Sequence, residues 1–213
     1  MLYIILLLLS FTLTYIIKNY YIKNAILEEV NERSSHTVPT PHGGGISLAI
    51  TWFVGIGYLY FNNQIESDLF FALVMGIIIS VVSYFDDIYD LSPKVRLLAQ
   101  GVVAFGGLYF IGGFDSLNLF VFNIDNQIIT NVFAFLLIVW FINLYNFLDG
   151  INGYAGSEAI FLSIAGLLIF GGAHFGVLAV AVLGFLYWNW NKAKIFMGDV
   201  GSTLLGYNVA IFT

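Results

Sequence analysis

Three carboxylates close a long apolar stretch in Asp86-Asp87-Ile88-Tyr89-Asp90, with no Cys or His beside them. On a continuing helix Asp86 and Asp90 stack one turn apart with Asp87 next to them, an arrangement that repels itself unless a cation intervenes. Hard carboxylate oxygens favour Mg²⁺ or Mn²⁺, and Mg²⁺ commonly takes one or two carboxylates together with phosphate oxygens. A solvated acidic helix end is the plainer reading of the same residues. Further on, Asn143, Asn146 and Asp149 recur every third residue, so they share a face suited to a polar ligand such as a nucleotide if the helix runs that far. Gly150 and Gly153, on either side of Asn152, let the chain turn with unusual dihedrals, and a simple polar turn has the same composition. Asp199 stands in Gly198-Asp199-Val200-Gly201, where glycines permit close backbone approach and leave amides near a metal site. In Pro39-Thr40-Pro41-His42-Gly43-Gly44-Gly45 the triplet containing Gly44 either presents amides to a phosphate or serves as a hinge. His36 and His42 can bind an anion or pass a proton, although loop histidines are commonly just solvated.

The elements that must position these residues are membrane helices. The chain of 213 residues is 60% hydrophobic and 9% charged and has no cysteine, far from the usage of a water-soluble domain. Disulfides, thiolate metal sites and cysteine nucleophiles are thereby excluded. A net charge of −6 argues against nucleic acid as a partner. Apolar segments fall at Leu2–Ile17, Gly43–Phe61, Leu69–Phe85, Val95–Gly113, Asn131–Phe147, Ser157–Gly172, Phe175–Trp190 and Gly201–Thr213. All but the last are near the length that crosses a bilayer. The fold expected is an all-α, polytopic transmembrane bundle of about eight spans, the last incomplete. The first segment reads as a retained span rather than a signal peptide, because no basic residue precedes it and Lys18 and Lys23 follow it.

Charge placement supports the same segmentation. The seven basic residues Lys18, Lys23, Arg33, Lys94, Arg96, Lys192 and Lys194 lie in or beside the first, third and seventh connectors. All of these are odd, so by the positive-inside rule the odd side is cytoplasmic and the N-terminus is outside. His174 falls on the other side, away from any chemistry. Trp188 and Trp190 are expected to face lipid near the boundary. Ser92 and Pro93 read as N-cap and first residue of the fourth span. Lys94 and Arg96 in that helix's first turn oppose its dipole, which either membrane orientation or a bound phosphate accounts for.

Taken in order, the pieces VPTPHGGGIS, DDIYDLSPKVRLLAQ, NLYNFLDGINGYAGSEA and WNWNKAKIFMGDVGSTLLG resemble the successive cytoplasmic loops of the polyprenyl-phosphate N-acetylhexosamine-1-phosphate transferase family. The resemblance implies a single integral membrane transferase domain over residues 1–213 in the bacterial inner membrane, with a cytoplasmic active site. It implies transfer of a sugar 1-phosphate from a UDP-N-acetylhexosamine to undecaprenyl phosphate, giving undecaprenyl-diphosphate-sugar and UMP, with Mg²⁺ as cofactor. By the same resemblance Asp86 and Asp87 are the catalytic pair and contribute to metal binding, Asp199 ligates Mg²⁺, and Asn146 and Asp149 belong to the nucleotide-sugar loop. Lys94 and Arg96 then hold a phosphate, and His42 and Gly44 adjoin the substrate. Asn152 stands where the family commonly has an aspartate, keeping hydrogen bonding but losing charge. AGSEA and the WNW before AKIFMGDVGS look most like enzymes that begin O-antigen synthesis with a FucNAc-, QuiNAc- or GlcNAc-type sugar. Oligomeric state is open, a homodimer included. Family members continue through further spans and a histidine-containing loop, whereas this sequence stops at Thr213 inside its eighth apolar segment. A C-terminally truncated chain is therefore expected, with an inactive truncated relative as one alternative. A membrane transporter is the other, and it would need its acids near the midplane.

Overall fold

The computed structural model describes residues 1–25, 27–28, 39–119 and 122–212. Arg33 and His36 lie outside the described residues. The described residues form α1 (Leu2–Lys23), α2 (Gly45–Phe61), α3 (Ser67–Val74), α4 (Gly76–Tyr89), α5 (Pro93–Ile111), α6 (Gln127–Leu148), α7 (Tyr154–Phe170), α8 (Ala173–Asn189) and α9 (Asp199–Phe212). α3 and α4 make one apolar rod, Ser67–Tyr89, interrupted only at Met75. Every expected apolar segment is thus a helix. Among the described residues, α1, the α3–α4 rod, α5 and α6 are long and apolar enough to cross a membrane, while α2, α7 and α8 are shorter but equally apolar. Two short antiparallel pairs complete the chain: β1 (Leu27–Glu28) with β2 (Thr40–Pro41), and β3 (Leu117–Leu119) with β4 (Phe122–Ile124). The second pair sits in a connector whose composition gave no sign of strands.

The helices are apolar outside as well as inside. Ile4, Leu98, Phe105, Leu168 and Phe170 are all exposed, the pattern of a bundle whose solvent is lipid. Lipid tails give no hydrophobic drive for helices to associate, so close approach and interhelical hydrogen bonds must hold them together. On α1 the buried Leu6, Ser10 and Thr14 recur every fourth residue and face α8 and α2. Ser10 Oγ donates to the Ala181 carbonyl and the Thr14 and Ser47 hydroxyls share a bond of 2.6 Å. A methyl group on Gly184 would lie 2.6 Å from Ser10 Cβ, so that glycine permits the α1–α8 contact.

α9 is the central helix, with every residue from Val200 to Ala210 buried. Its polar side chains are mostly satisfied across helices, Thr203 by Ser83 at 2.8 Å and Tyr207 by the Ala72 carbonyl at 2.6 Å. The connectors segregate by end. At one end the Gly44 and Phe196 amides bond the Phe196 and Pro41 carbonyls, and the Asn189 side chain accepts from the Gly153 amide. At the other, Tyr3 reaches the Ala173 carbonyl and His174 packs on Phe212. The odd connectors therefore meet at a single end, and Asp199 enters α9 there.

Candidate active site

α4 delivers two carboxylates to that end and turns the third away. Asp90 leaves the helix with φ 49° and ψ 70°, donating its amide to the Asp86 carbonyl as a left-handed cap, and its side chain is exposed. Aspartate tolerates this conformation better than most residues. The expected stacking of Asp90 on Asp86 does not occur, because the helix ends first. Asp86 is 8% exposed. Its Oδ1 accepts the Leu91 amide at 2.8 Å and its Oδ2 accepts Arg96 Nη1 at 3.3 Å, the one ion pair among the described residues. Asp87 Oδ1 accepts the Asp199 amide at 3.3 Å.

The start of α9 supplies the facing wall. Gly198 turns the chain with φ 76°, and a side chain on it would come 3.1 Å from Asp87 Oδ2 and 3.2 Å from the Gly43 nitrogen. Only glycine fits both the dihedral and the space. Asn146, one turn from the end of α6, donates Nδ2 to Asp199 Oδ1 at 2.7 Å and to Ser202 Oγ at 3.2 Å. Gln100 of α5 exchanges hydrogen bonds of 3.3 and 2.8 Å with Asn143. Asp86, Arg96, Gln100, Asn143, Asn146 and Asp199 line one cavity of about 360 Å³.

Carboxylates this close shape the electrostatics. The Asp86 and Asp199 carboxyls are electrostatic neighbours. Burial raises the Asp199 pKa, the Asn146 amide opposes that rise, Asp86 reinforces it and Arg96 opposes it. Neighbouring carboxyls repel one another when both are ionised, and carboxylate oxygens are the donor type that a hard divalent ion takes when phosphate oxygens fill its other positions. The three aspartates are neighbours rather than a ready-made cage: among the described residues no three His, Cys, Asp or Glu side chains are already arranged to hold a metal ion.

With this geometry in place, comparison with known proteins decides the family. A family model, Glycosyl transferase family 4, matches residues 69–213, a stretch running from α3 through Asp199. The chain belongs to glycosyl transferase family 4. It is 31% identical over 224 residues to a probable undecaprenyl-phosphate N-acetylglucosaminyl 1-phosphate transferase of Bacillus subtilis (strain 168), covering 99% of this chain and 61% of that protein. It is 30% identical over 197 residues to a phospho-N-acetylmuramoyl-pentapeptide-transferase of Streptococcus pneumoniae (strain Hungary19A-6), covering 84% of this chain and 60% of the relative. It thus spans about three fifths of the length of either relative.

His42, Gly44, Lys94, Asp149 and Asn152 of this family-4 chain do not line that cavity. Two amides of the glycine triplet are spent on backbone rather than offered to a phosphate: Gly44 and Gly45 donate to the Phe196 and Met197 carbonyls at 2.9 and 2.8 Å. A methyl group on Gly44 would meet Phe185 at 2.5 Å, and one on Gly45 would meet the Gly201 nitrogen at 2.3 Å. These glycines pack two backbones together. His42 sits edge-on to Tyr21, 6.1 Å between ring centres, beside the cavity rather than in its wall. Lys94 is exposed and lines an apolar groove with Leu97, Leu98 and Phe105 on the outer face of α5. Asp149 is the C-cap of α6 and Asn152 lies in the turn after it, so neither lines the cavity that Asn143 and Asn146 share. Ser92 occupies the N-cap position and Pro93 opens α5, but no side-chain bond caps the helix. Trp188 is 9% exposed and does not face lipid, whereas Trp190 is 56% exposed. Gln100 and Tyr21 were missed. Gln100 was legible as the residue one helical turn after Arg96, while Tyr21, seated on Gly43, had no sequence signal.

Proposed function

We propose that the protein transfers an N-acetylhexosamine 1-phosphate from a UDP-sugar to undecaprenyl phosphate, yielding undecaprenyl-diphosphate-sugar and UMP, at the cytoplasmic face of a bacterial inner membrane. The observation that carries this reading is the convergence of Asp86, Arg96, Asn146 and Asp199 from α4, α5, α6 and α9 on one cavity at one end of a membrane bundle, with Asp87 bonded to the Asp199 amide beside it. The Bacillus relative bears the name of an undecaprenyl-phosphate N-acetylglucosaminyl 1-phosphate transferase, and the streptococcal relative that of a phosphosugar-peptide transferase. A GlcNAc-, QuiNAc- or FucNAc-type donor and a role in starting O-antigen or another envelope polysaccharide fit the AGSEA and WNW segments. Lysines and arginines all on the odd connectors support a cytoplasmic site with the N-terminus outside.

Phosphoryl transfer asks a protein chiefly for positioning and charge neutralisation. Arg96, held against Asp86, is placed to exchange part of that contact for a phosphate oxygen. Asn146 fixes the rotamer of Asp199 through its 2.7 Å hydrogen bond, and the Asp199 amide fixes Asp87. Asp86, Asp87 and Asp199 are the residues that would hold Mg²⁺ or Mn²⁺. The ion, when bound, would neutralise charge developing on the diphosphate. Lys94, at the lipid-facing start of α5, is suited to the acceptor phosphate. The test is UMP release from a panel of UDP-N-acetylhexosamines by the full chain in bilayers containing undecaprenyl phosphate and Mg²⁺. Release from at least one donor, dependent on the lipid, is expected. No release from any donor by folded protein refutes the proposal.

A further inference from the structure

A second polar cluster, outside the carboxylate cavity, sits where α1 and α8 reach the same end of the bundle. Trp188 is nearly buried against α1, its Nε1 donating to the Phe11 carbonyl at 3.2 Å. Lys18 Nζ lies 4.6 Å from the centre of its ring and Lys194 Nζ 5.4 Å. The same lysines also face Tyr15 at 5.1 Å and Tyr187 at 5.5 Å. Two cations thus share one indole from opposite elements, an arrangement in which ring attraction offsets their mutual repulsion only in part. Lys192 stands in the next turn with φ 60°. No carboxylate among the described residues pairs with any of these lysines, although the chain carries a net charge of −6. Beside them a groove of about 500 Å³ runs from Leu183 and Leu186 past Tyr187 and Trp190 to Lys192 and Lys194. It is apolar at its membrane end and cationic at its mouth.

We infer that this groove is a binding site for an anionic phospholipid of the bilayer, with the lipid phosphate between Lys18, Lys192 and Lys194 and the first acyl carbons on Leu183 and Leu186. Uncompensated lysines at headgroup depth attract anionic lipid, and tryptophan and tyrosine settle at that depth with their polar edges toward the headgroups. The apolar floor distinguishes the occupant from a free phosphate, which would gain nothing from Leu183. The site adjoins the catalytic region without being part of it. Trp190 packs on Gly153, where an added Cβ would lie 3.0 Å from the ring, and the Lys194 amide bonds the Trp188 carbonyl at 2.8 Å.

The test uses the full chain in nanodiscs of phosphatidylglycerol and phosphatidylcholine, released into native mass spectrometry, with retained lipid counted. The wild type is expected to retain phosphatidylglycerol over phosphatidylcholine, with the preference falling as salt rises. Lys18→Gln with Lys194→Gln should weaken retention about 30-fold, at roughly fivefold per cation, while Lys18→Arg with Lys194→Arg keeps it. Equal retention of the two lipids by wild type overturns the inference, and this arm needs no variant to fold. So does undiminished retention in a folded double Gln variant, or displacement of the lipid by millimolar inorganic phosphate.

Discussion

Replacing Gly45 by alanine puts a methyl carbon 2.3 Å from the Gly201 nitrogen and 2.4 Å from its Cα. These are backbone atoms of α9 and cannot rotate away, so α2 and α9 must part by about 1 Å to restore ordinary contact. That separation strains the hydrogen bonds from Gly44 and Gly45 to Phe196 and Met197, now 2.9 and 2.8 Å. Leaving two buried pairs unmade costs about 2–6 kcal/mol, against a gain near 1 kcal/mol from alanine's helix propensity. The net is a loss of about 3 kcal/mol, or roughly 6–12 °C in melting temperature by the soluble-protein proportion. Gly57→Ala on the same helix is the control, because nothing lies within 4 Å of its added methyl; it should be neutral or slightly stabilising. Gly106→Ala is intermediate, since its methyl meets Met75 Cε at 2.3 Å, the movable end of a flexible side chain. Thermal unfolding of the three variants in one detergent measures the series. A Gly45→Ala melting temperature equal to that of Gly57→Ala refutes the claim that the triplet exists to bring α2 against α9.

Asp199→Asn keeps the shape of the cluster but removes one charge, and should lower UMP release by at least about 100-fold with little change in melting temperature; retained turnover would remove Asp199 from the site. Chelation of divalent ions should abolish release, with Mg²⁺ or Mn²⁺ restoring it and Ca²⁺ restoring less, because the smaller ion suits a site of few carboxylates and phosphate oxygens. Asn146→Ala frees Asp199 Oδ1 from its 2.7 Å donor and should lower kcat about tenfold or more through lost positioning, an effect that Asn146→Gln would not share if reach alone mattered. Tyr207→Phe removes the 2.6 Å bond to the Ala72 carbonyl and should cost about 0.6–1.5 kcal/mol in unfolding measurements, without touching the cavity.

The membrane spans and the grouping of the acids were legible because each rests on a property that survives without three-dimensional detail. Apolar length marks a crossing, and lysines and arginines confined to alternate connectors mark which ends lie together. Parity alone placed Asp86, Asp87, Asn146 and Asp199 at one end, where Asp199 is found bonded to Asn146 and Asp87, and Asp86 and Asn146 line one cavity with it. The glycine triplet was harder to read. Glycine permits both a phosphate-facing amide and a close backbone crossing, and only the position of Gly201 chooses between them. Trp188 was similarly ambiguous, since an indole at the boundary satisfies lipid or two lysines equally well until α1 is seen to cover it.

Asp90 has a more specific cause for its displacement, which also says when spacing arguments can be relied on. Asp90 was set on the face of Asp86 by counting four residues. That count runs past Tyr89, the last helical residue, onto a residue with φ 49° and ψ 70°, whereas Asp149, with φ −67° and ψ −11°, keeps a helical backbone and donates its amide to the Tyr145 carbonyl at 3.1 Å. Inside a helix the same arithmetic succeeds: Arg96 and Gln100 of α5, and Asn143 and Asn146 of α6, do line one cavity. Periodicity transmits a face only as far as the helical dihedrals continue, and at Asp90 they change hand although its amide still bonds the Asp86 carbonyl at 2.9 Å. In this chain those ends coincide with the carboxylate cluster. The termini of α4 and α9 therefore decide which aspartates meet: Asp87 accepts the Asp199 amide at 3.3 Å, while Asp90, one residue past α4, is turned out to solvent.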